Sequence, residues 1–432
     1  MGLRMGRIST SLLLVLAGAA VACGSSDDEE QPKALEIYSW LTSGSEKAAL
    51  DALLAEVTKA QPGIQITNSA FGRTEPAQKE LPMRIQAGNP PDSFQVVGGV
   101  PLFEWIRQNS LEPLDSLASA QGWEAAFGDV LTSVKGKDGH IYAAPLNLER
   151  GNTLFYNKAM LTAAGFDPAV SPPSFATFFT IADALKAQGK TALSVSAAGG
   201  WTIAAAVFDS ILPAQAGPEF HKTYLSGLSS GDAQQIRDTL ATLGRMMDYA
   251  NDDRMTVLWA DSVAKVCNDQ AAMLLLPDFV KGEFANLNCG PDKVGYVSME
   301  LAGSPTFIFV GMAWPLPIGA AHRDMGLEFM RITGSSAGQL AFNPLKGSIP
   351  ARKDITVDAA GGFDAISTQT YADLQAAGEA VQLGYPGATP SAFQEAAANA
   401  LKDFVDPTSV NFKNVDVAAA AIKLQYSTLI TQ

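Results

Sequence analysis

Three side chains able to hold a ligand, Trp40, Glu46 and Gln95, fall at or just after the carboxyl ends of extended segments early in the chain. Open parallel sheets bind ligands at that edge, so these residues point to noncovalent capture in a crevice. Patterns for covalent or metal chemistry are weaker. Gly227-Leu228-Ser229-Ser230-Gly231 has the spacing of a hydrolase nucleophile elbow. No strand precedes it, however, and its serines with Asp232 read as a cap before a helix. The histidines are His140, His221 and His322, none at metal-ligand spacing, and neither CxxC nor HExxH occurs. His140 lies in a Gly-rich turn and is expected in solvent. Cys267 and Cys289 suit a structural disulfide in an oxidising compartment, with two unpaired buried thiols as the alternative. We expect no cofactor and no metal.

The elements that must position these residues begin with Ala34 to Trp40, where Leu35 and Ile37 share one side of a strand. Ser43-Gly44-Ser45 opens a helix with Leu50, Leu53, Leu54 and Val57 at helical spacing, closed by Gln61-Pro62-Gly63. A strand at 64–67, a helix at about 80–87 and a strand at 93–97 complete a βαβαβ order. Connections of that length require parallel pairing with right-handed crossovers. The chain then runs extended through 144–147 and 152–157, a crossing between two lobes followed by a strand. Further on we expect a helix from Ser174 to about Ala187, a short strand at 192–195 and a helix over 232–249. The stripe Ile236, Leu240, Leu243 and Met247 on that last helix is core. Residues 306–317 read as an apolar strand, 323–341 as a helix, 342–350 as turn and the last 70 residues as Ala-rich helices.

Arg4 and Arg7 precede an apolar run, Ile8 to Val21, too short to span a membrane, so residues 1–22 read as an export signal. Cys23, followed by a polar tether to residue 33, has the layout of a lipidated cysteine. Ala20-Val21-Ala22 equally suits ordinary signal cleavage. The formal charge is −14, and removing residues 1–22 takes away only positive charge, so nucleic acid is excluded as a partner. Membrane contact is expected only through a lipid anchor. With 47% hydrophobic residues the remaining chain is long enough for two domains.

Several segments resemble one family, the extracellular solute-binding proteins of ABC importers, within it the glucose- and mannose-binding branch. They are Ile37-Tyr38-Ser39-Trp40, Ser43 to Leu50, Gly88 to Val96, Arg150-Gly151-Asn152 with Tyr156-Asn157-Lys158, and Phe342 to Arg352. The resemblance implies a two-lobe α/β periplasmic-binding-protein fold, type II-like, each lobe an open sheet flanked by helices, with sugar held in the cleft between them. Lobe one is expected over 34–145 and 302–346, lobe two over 146–301 and 347–432. The implied partners are a mono- or small oligosaccharide and the membrane subunits of an importer. The implied protein is a monomeric receptor, not an enzyme, in the periplasm or on the outer face of the cell membrane.

By the same resemblance Trp40 stacks on a sugar ring, Glu46 and Gln95 bind hydroxyls, Asp278 and Lys346 clamp hydroxyls, and Trp259 adds an aromatic from the second lobe. A sugar site needs such groups, an aromatic face for C–H bonds and planar polar groups for hydroxyls. The chain departs from the glucose binders where Leu41 replaces a second tryptophan, Val97 a lysine or histidine, and Tyr385 a histidine, and Tyr385 is expected to bind the ligand in that histidine's place. Sugar binding is therefore implied more firmly than glucose. The rival readings are a secreted glycoside hydrolase, with Glu46 and Asp278 as facing carboxylates, and a receptor for a polyol or peptide.

Overall fold

The computed structural model describes residues 33–69, 75–170, 173–231, 233–299 and 306–430. The export signal at 1–22 and the lipidation of Cys23 lie outside the described residues. Strand β1 (Ala34–Tyr38) buries Leu35 and Ile37, as the alternation requires. The helix Gly44–Ala60 buries Leu50, Leu53 and Val57 against it. β2 (Gln65–Asn68), the helix Glu75–Gln86 and β3 (Ser93–Phe94) follow, and the strand order β2-β1-β3 is parallel throughout. The expected strand 93–97 is broken at Gln95. Its N–H still donates to the Tyr38 carbonyl at 2.9 Å, whereas β4 (Val96–Val97) leaves to pair with a strand of a different sheet.

β5 (Ala143–Arg150) is buried along its whole length, and two residues later β6 (Thr153–Asn157) begins in another sheet. With β7 (Thr191–Ser194), β8 (Ala271–Leu275) and β9 (Val294–Ser298) it forms the order β7-β8-β6-β9. β10 (Phe307–Pro315), β11 (Ile349–Pro350) and β12 (Val381–Leu383) complete the order β11-β5-β10-β12, with β4 also on β10. β5 and β10 run antiparallel over nearly their full lengths.

The buried apolar residues divide between these sheets. A first core gathers Leu35 to Leu148 together with Phe307 to Phe363. A second gathers Leu154 to Met299 with Tyr385 to Tyr426, and a third, smaller one lies around Phe155, Val266, Phe279 and Phe284. On β6, Leu154 and Tyr156 face the second core and Phe155 the third, so that sheet is covered on both faces.

The cores correct two expected lobe boundaries. Leu146 and Leu148 still pack in the first core, so the chain crosses at 150–153 and not at 145. Ile349, Ala351, Val357 and Phe363 also remain in the first core, because β11 pairs with β5 and β12 extends the sheet on β10. The change to the second core comes near Tyr385, not at 347. β12 itself lies where only helices were expected. The stripe Ile236, Leu240, Leu243 and Met247 is buried in the second core, as its spacing requires.

Cys267 ends the helix Trp259–Cys267, Cys289 follows the helix Val280–Asn286, and the two are disulfide-bonded with Cα atoms 5.8 Å apart. The bridge holds together the two helices that flank β8. Closing a loop with 22 residues of separation stabilises a fold by about 3 kcal/mol in the chain-entropy account. Reductant should lower the melting temperature of the wild type and leave a Cys267→Ser, Cys289→Ser double variant unmoved; equal response of both proteins would show that the bridge contributes nothing.

Candidate functional site

The position of Lys346 follows from a helix break that the sequence reading missed. Gly334 ends the helix Arg323–Thr333 against Trp123, where a Cβ would come within 2.6 Å of the indole. Ser335 then caps a new helix, its hydroxyl accepting from the Gly338 N–H at 3.1 Å. This helix, Ser336–Lys346, occupies part of the segment expected to be turn and carries Lys346 as its last residue. Gly347, with φ of +80°, terminates it in the left-handed conformation that favours glycine.

The Lys346 side chain is wholly buried. Its Nζ lies 3.2 Å from Glu46 Oε1 and 3.0 Å from Glu149 Oε1, and 3.7 Å from the centroid of the Phe279 ring. Glu46 comes from the first turn of the helix Gly44–Ala60 and Glu149 from the end of β5. Three elements of the first core thus bring their charges to one point. Phe279, from the third core, covers that point. Burial pushes the Glu149 carboxyl above its ordinary range, outweighing the opposing effect of Lys346, while Asp278 and Glu46 push it the same way.

Asp278 precedes Phe279 and is fully buried. One oxygen accepts the Arg150 N–H at 2.8 Å and the other the Lys281 ammonium at 2.7 Å. The Asp278 N–H returns a bond to the Arg150 carbonyl at 2.9 Å, which fastens the loop after β8 to the crossing strand. The Arg150 guanidinium is engaged with Asp373 at 2.6 Å and with the Tyr296 hydroxyl and the Thr306 carbonyl. Glu283, one turn beyond, reaches the start of the helix Gly44–Ala60 and accepts the Ser45 N–H at 3.0 Å. Gly44 allows this approach, since a Cβ there would sit 2.5 Å from Glu283 Oε2.

Of the residues singled out from sequence, Glu46 and Lys346 therefore meet directly. Asp278 lies beside Phe279, and Trp259 packs edge-on against that ring at 5.2 Å. Trp40, half-buried, packs on the first core. Gln95 is buried where β3 gives way to β4, with its Oε1 accepting from the Ser39 hydroxyl at 2.8 Å and its amide turned to Met312. Tyr385 does not join this group. Its ring stacks on Phe208 at 4.8 Å inside the second core, and its hydroxyl donates to the Gln394 carbonyl at 2.9 Å. Burial pushes that phenol well above its usual range. Tyr385 thus acts in packing, which corrects its assignment as a ligand-binding residue.

Sequence reasoning missed Glu149, Phe279 and Glu283. Glu149 directly precedes the Arg150-Gly151-Asn152 motif and Phe279 follows Asp278, so adjacency to a recognised residue was the available signal. Ser229 is no nucleophile elbow: it follows the helix Pro218–Leu225, and its N–H and carbonyl are both bonded to the Tyr426 hydroxyl. His140 is exposed and pairs with Asp115 at 2.8 Å. Among the described residues no cluster of metal ligands occurs, and no helix is long and apolar enough to cross a membrane.

Sheets flanked by helices, with charged and aromatic groups gathered where separate cores meet, place the chain in the α/β class. The chain belongs to the bacterial extracellular solute-binding protein family, whose profile matches residues 18–339. It is 29% identical over 413 residues to an uncharacterized ABC transporter extracellular-binding protein of Pyrococcus horikoshii, covering 95% of this chain and 90% of that one. It is also 29% identical over 412 residues to a probable sugar-binding periplasmic protein of Brucella suis, covering 93% of each. Among solved structures, the bacterial solute receptor AcbH, described as exclusively preferring β-D-galactopyranose, superposes with a TM-score of 0.78 at 17% identity, over 93% of this chain and 99% of that one. Structural neighbours of this kind are two-lobe binding proteins, and the likeness establishes the fold.

The raised pKa of Glu149 fixes the sign of a pH effect. Its folded-state value lies above the ordinary 4.5, so its favourable contribution is complete below that pH and is lost as the pH rises through the folded value. Glu149→Gln, which mimics the protonated acid, should therefore gain melting temperature relative to the wild type over a pH series that starts in the ordinary carboxyl range and rises from there. A difference that stays constant over that interval, measured by scanning fluorimetry, would contradict the assignment.

Proposed function

We propose that the protein is a receptor that captures a small sugar outside the cytoplasmic membrane and delivers it to the membrane subunits of an ABC-type importer. The observation that carries this reading is the meeting of Lys346, Glu46 and Glu149 from the first core with Asp278 and Phe279 from beyond β8. Carboxylates and an ammonium match hydroxyl groups, and an aromatic face matches the C–H side of a pyranose. Trp40, Trp259 and Gln95 are read as further contacts to a mono- or small oligosaccharide. Export through residues 1–22, with Cys23 as a lipid anchor, would put the receptor where its family works.

The receptor reading is preferred to a hydrolase on a specific ground. A glycosidase needs one protonated and one ionised carboxyl facing the same bond, and Asp278 has both oxygens committed to Arg150 and Lys281. Ligand capture would act through differential contacts: a sugar bridging the cores favours the arrangement in which both touch it.

A scanning-fluorimetry panel of monosaccharides, disaccharides, polyols and peptides tests the proposal, because a ligand that binds only the native state raises its melting temperature. At least one sugar should do so. Phe279→Leu should weaken its binding by roughly threefold to tenfold, the worth of an aromatic contact beyond its buried area. A shift with a peptide or polyol alone, or turnover of an aryl glycoside that disappears in Glu46→Gln, would replace the receptor reading.

A further inference from the structure

We propose that Glu149 sets the ligand charge this site accepts, so that the junction takes uncharged sugars and turns away acidic ones such as uronic acids. The inference rests on the sugar-receptor reading and concerns a residue outside the set that reading was built on. Among the described residues, the buried junction contains four carboxylates, Glu46, Glu149, Asp278 and Glu283, and two ammonium groups, Lys281 and Lys346. Lys281 is bound to Asp278, and the nearby Arg150 is bound to Asp373. Lys346, the remaining ammonium of the junction, is held by two acids within 3.2 Å.

A carboxylate on the ligand would bring a third negative charge to that ammonium. Recognition of such groups ordinarily uses an arginine fork or an uncommitted cation, and among the described residues the junction places Arg150 on Asp373, Lys281 on Asp278 and Lys346 on two acids. At these separations a single extra charge changes affinity by about tenfold or more even with generous screening. Glu149 dominates the effect because it is the more deeply buried of the two acids on Lys346, 3% exposed against 8% for Glu46. The groups that face it are Lys346 and Glu46 from their helices, Asp278 from the loop after β8, and Asn147, which donates to it at 3.1 Å from its own strand.

Calorimetric titration of the full chain and of Glu149→Gln with glucose, galactose, mannose, glucuronate and galacturonate tests this. The wild type should bind a neutral hexose and prefer it strongly over the matching uronate; in Glu149→Gln that preference should shrink by about tenfold. The same shrinkage should appear in the wild type as the pH is lowered, because the raised Glu149 carboxyl takes up its proton before ordinary carboxyls do. This second arm decides the matter even where the variant does not fold. A preference that is identical in both proteins and flat with pH overturns the role of Glu149 and leaves the receptor standing. Failure to bind any neutral sugar removes the receptor reading and this inference with it.

Discussion

An ammonium group with no access to water must be neutralised where it lies, and in this protein that group belongs to Lys346. The cost of burying an ion is several kcal/mol, and it is offset only by close partners of opposite charge. Two carboxylates from different elements provide them, Glu46 at the start of one helix and Glu149 at the end of β5. The register of β5 on β10, the helix break at Gly334 and the cap at Ser335 all serve to make these groups coincide. Removing Lys346 would leave the two buried acids without their cation, at about 3–5 kcal/mol. Geometry this demanding also gives the site fixed hydrogen-bonding groups, the property that selective recognition requires.

Backbone proximity supplies the second constraint. The segment from Asp278 to Glu283 approaches the end of the helix Ser336–Lys346 so closely that Gly282 has no room for a side chain: a Cβ would lie 2.5 Å from the Leu345 carbonyl. Gly347 faces Gly282 in the same contact. The result is that Phe279 reaches Lys346 and Glu283 reaches Ser45. On the receptor reading, a sugar entering this junction would have to replace those contacts with better ones of its own, which would link its binding energy to the equilibrium between contact and separation of the cores.

Much of this arrangement was legible in the sequence, and the exceptions have physical causes. Period-two and helical spacing located β1, the helix Gly44–Ala60 and the parallel order β2-β1-β3, because each is set by local patterning. The resemblance supplied Glu46 and Lys346, which do meet. Glu149 was invisible because its role arises from register: on a strand buried along its whole length, no alternation distinguishes a charged residue that faces Lys346. The helix Ser336–Lys346 was misread in part because Asn343-Pro344 and Gly347 carry turn chemistry. Its proline sits in the last turn, and Asn343 satisfies the Gln339 and Leu146 carbonyls with its side-chain amide. β12 was missed because three residues pairing with a distant strand leave almost no local signal.

The departures from the glucose-binding pattern acquire a physical meaning once placed. Leu41, Val97 and Tyr385, the departures the resemblance implies, are all buried in packing. Leu41 lies in the first core, Val97 pairs with Met312 on β10, and Tyr385 is stacked within the second core. Positions spent on packing cannot discriminate hydroxyl stereochemistry. A site so reduced relies on fewer bonded hydroxyls, and discrimination between sugars falls accordingly, since rejection of an analogue comes from polar groups left unpaired. What remains concentrated at the junction is charge: two acids on one ammonium beneath an aromatic ring. On the proposed reading, selection there would fall on the electrostatic character of the ligand before it falls on the configuration of any single carbon.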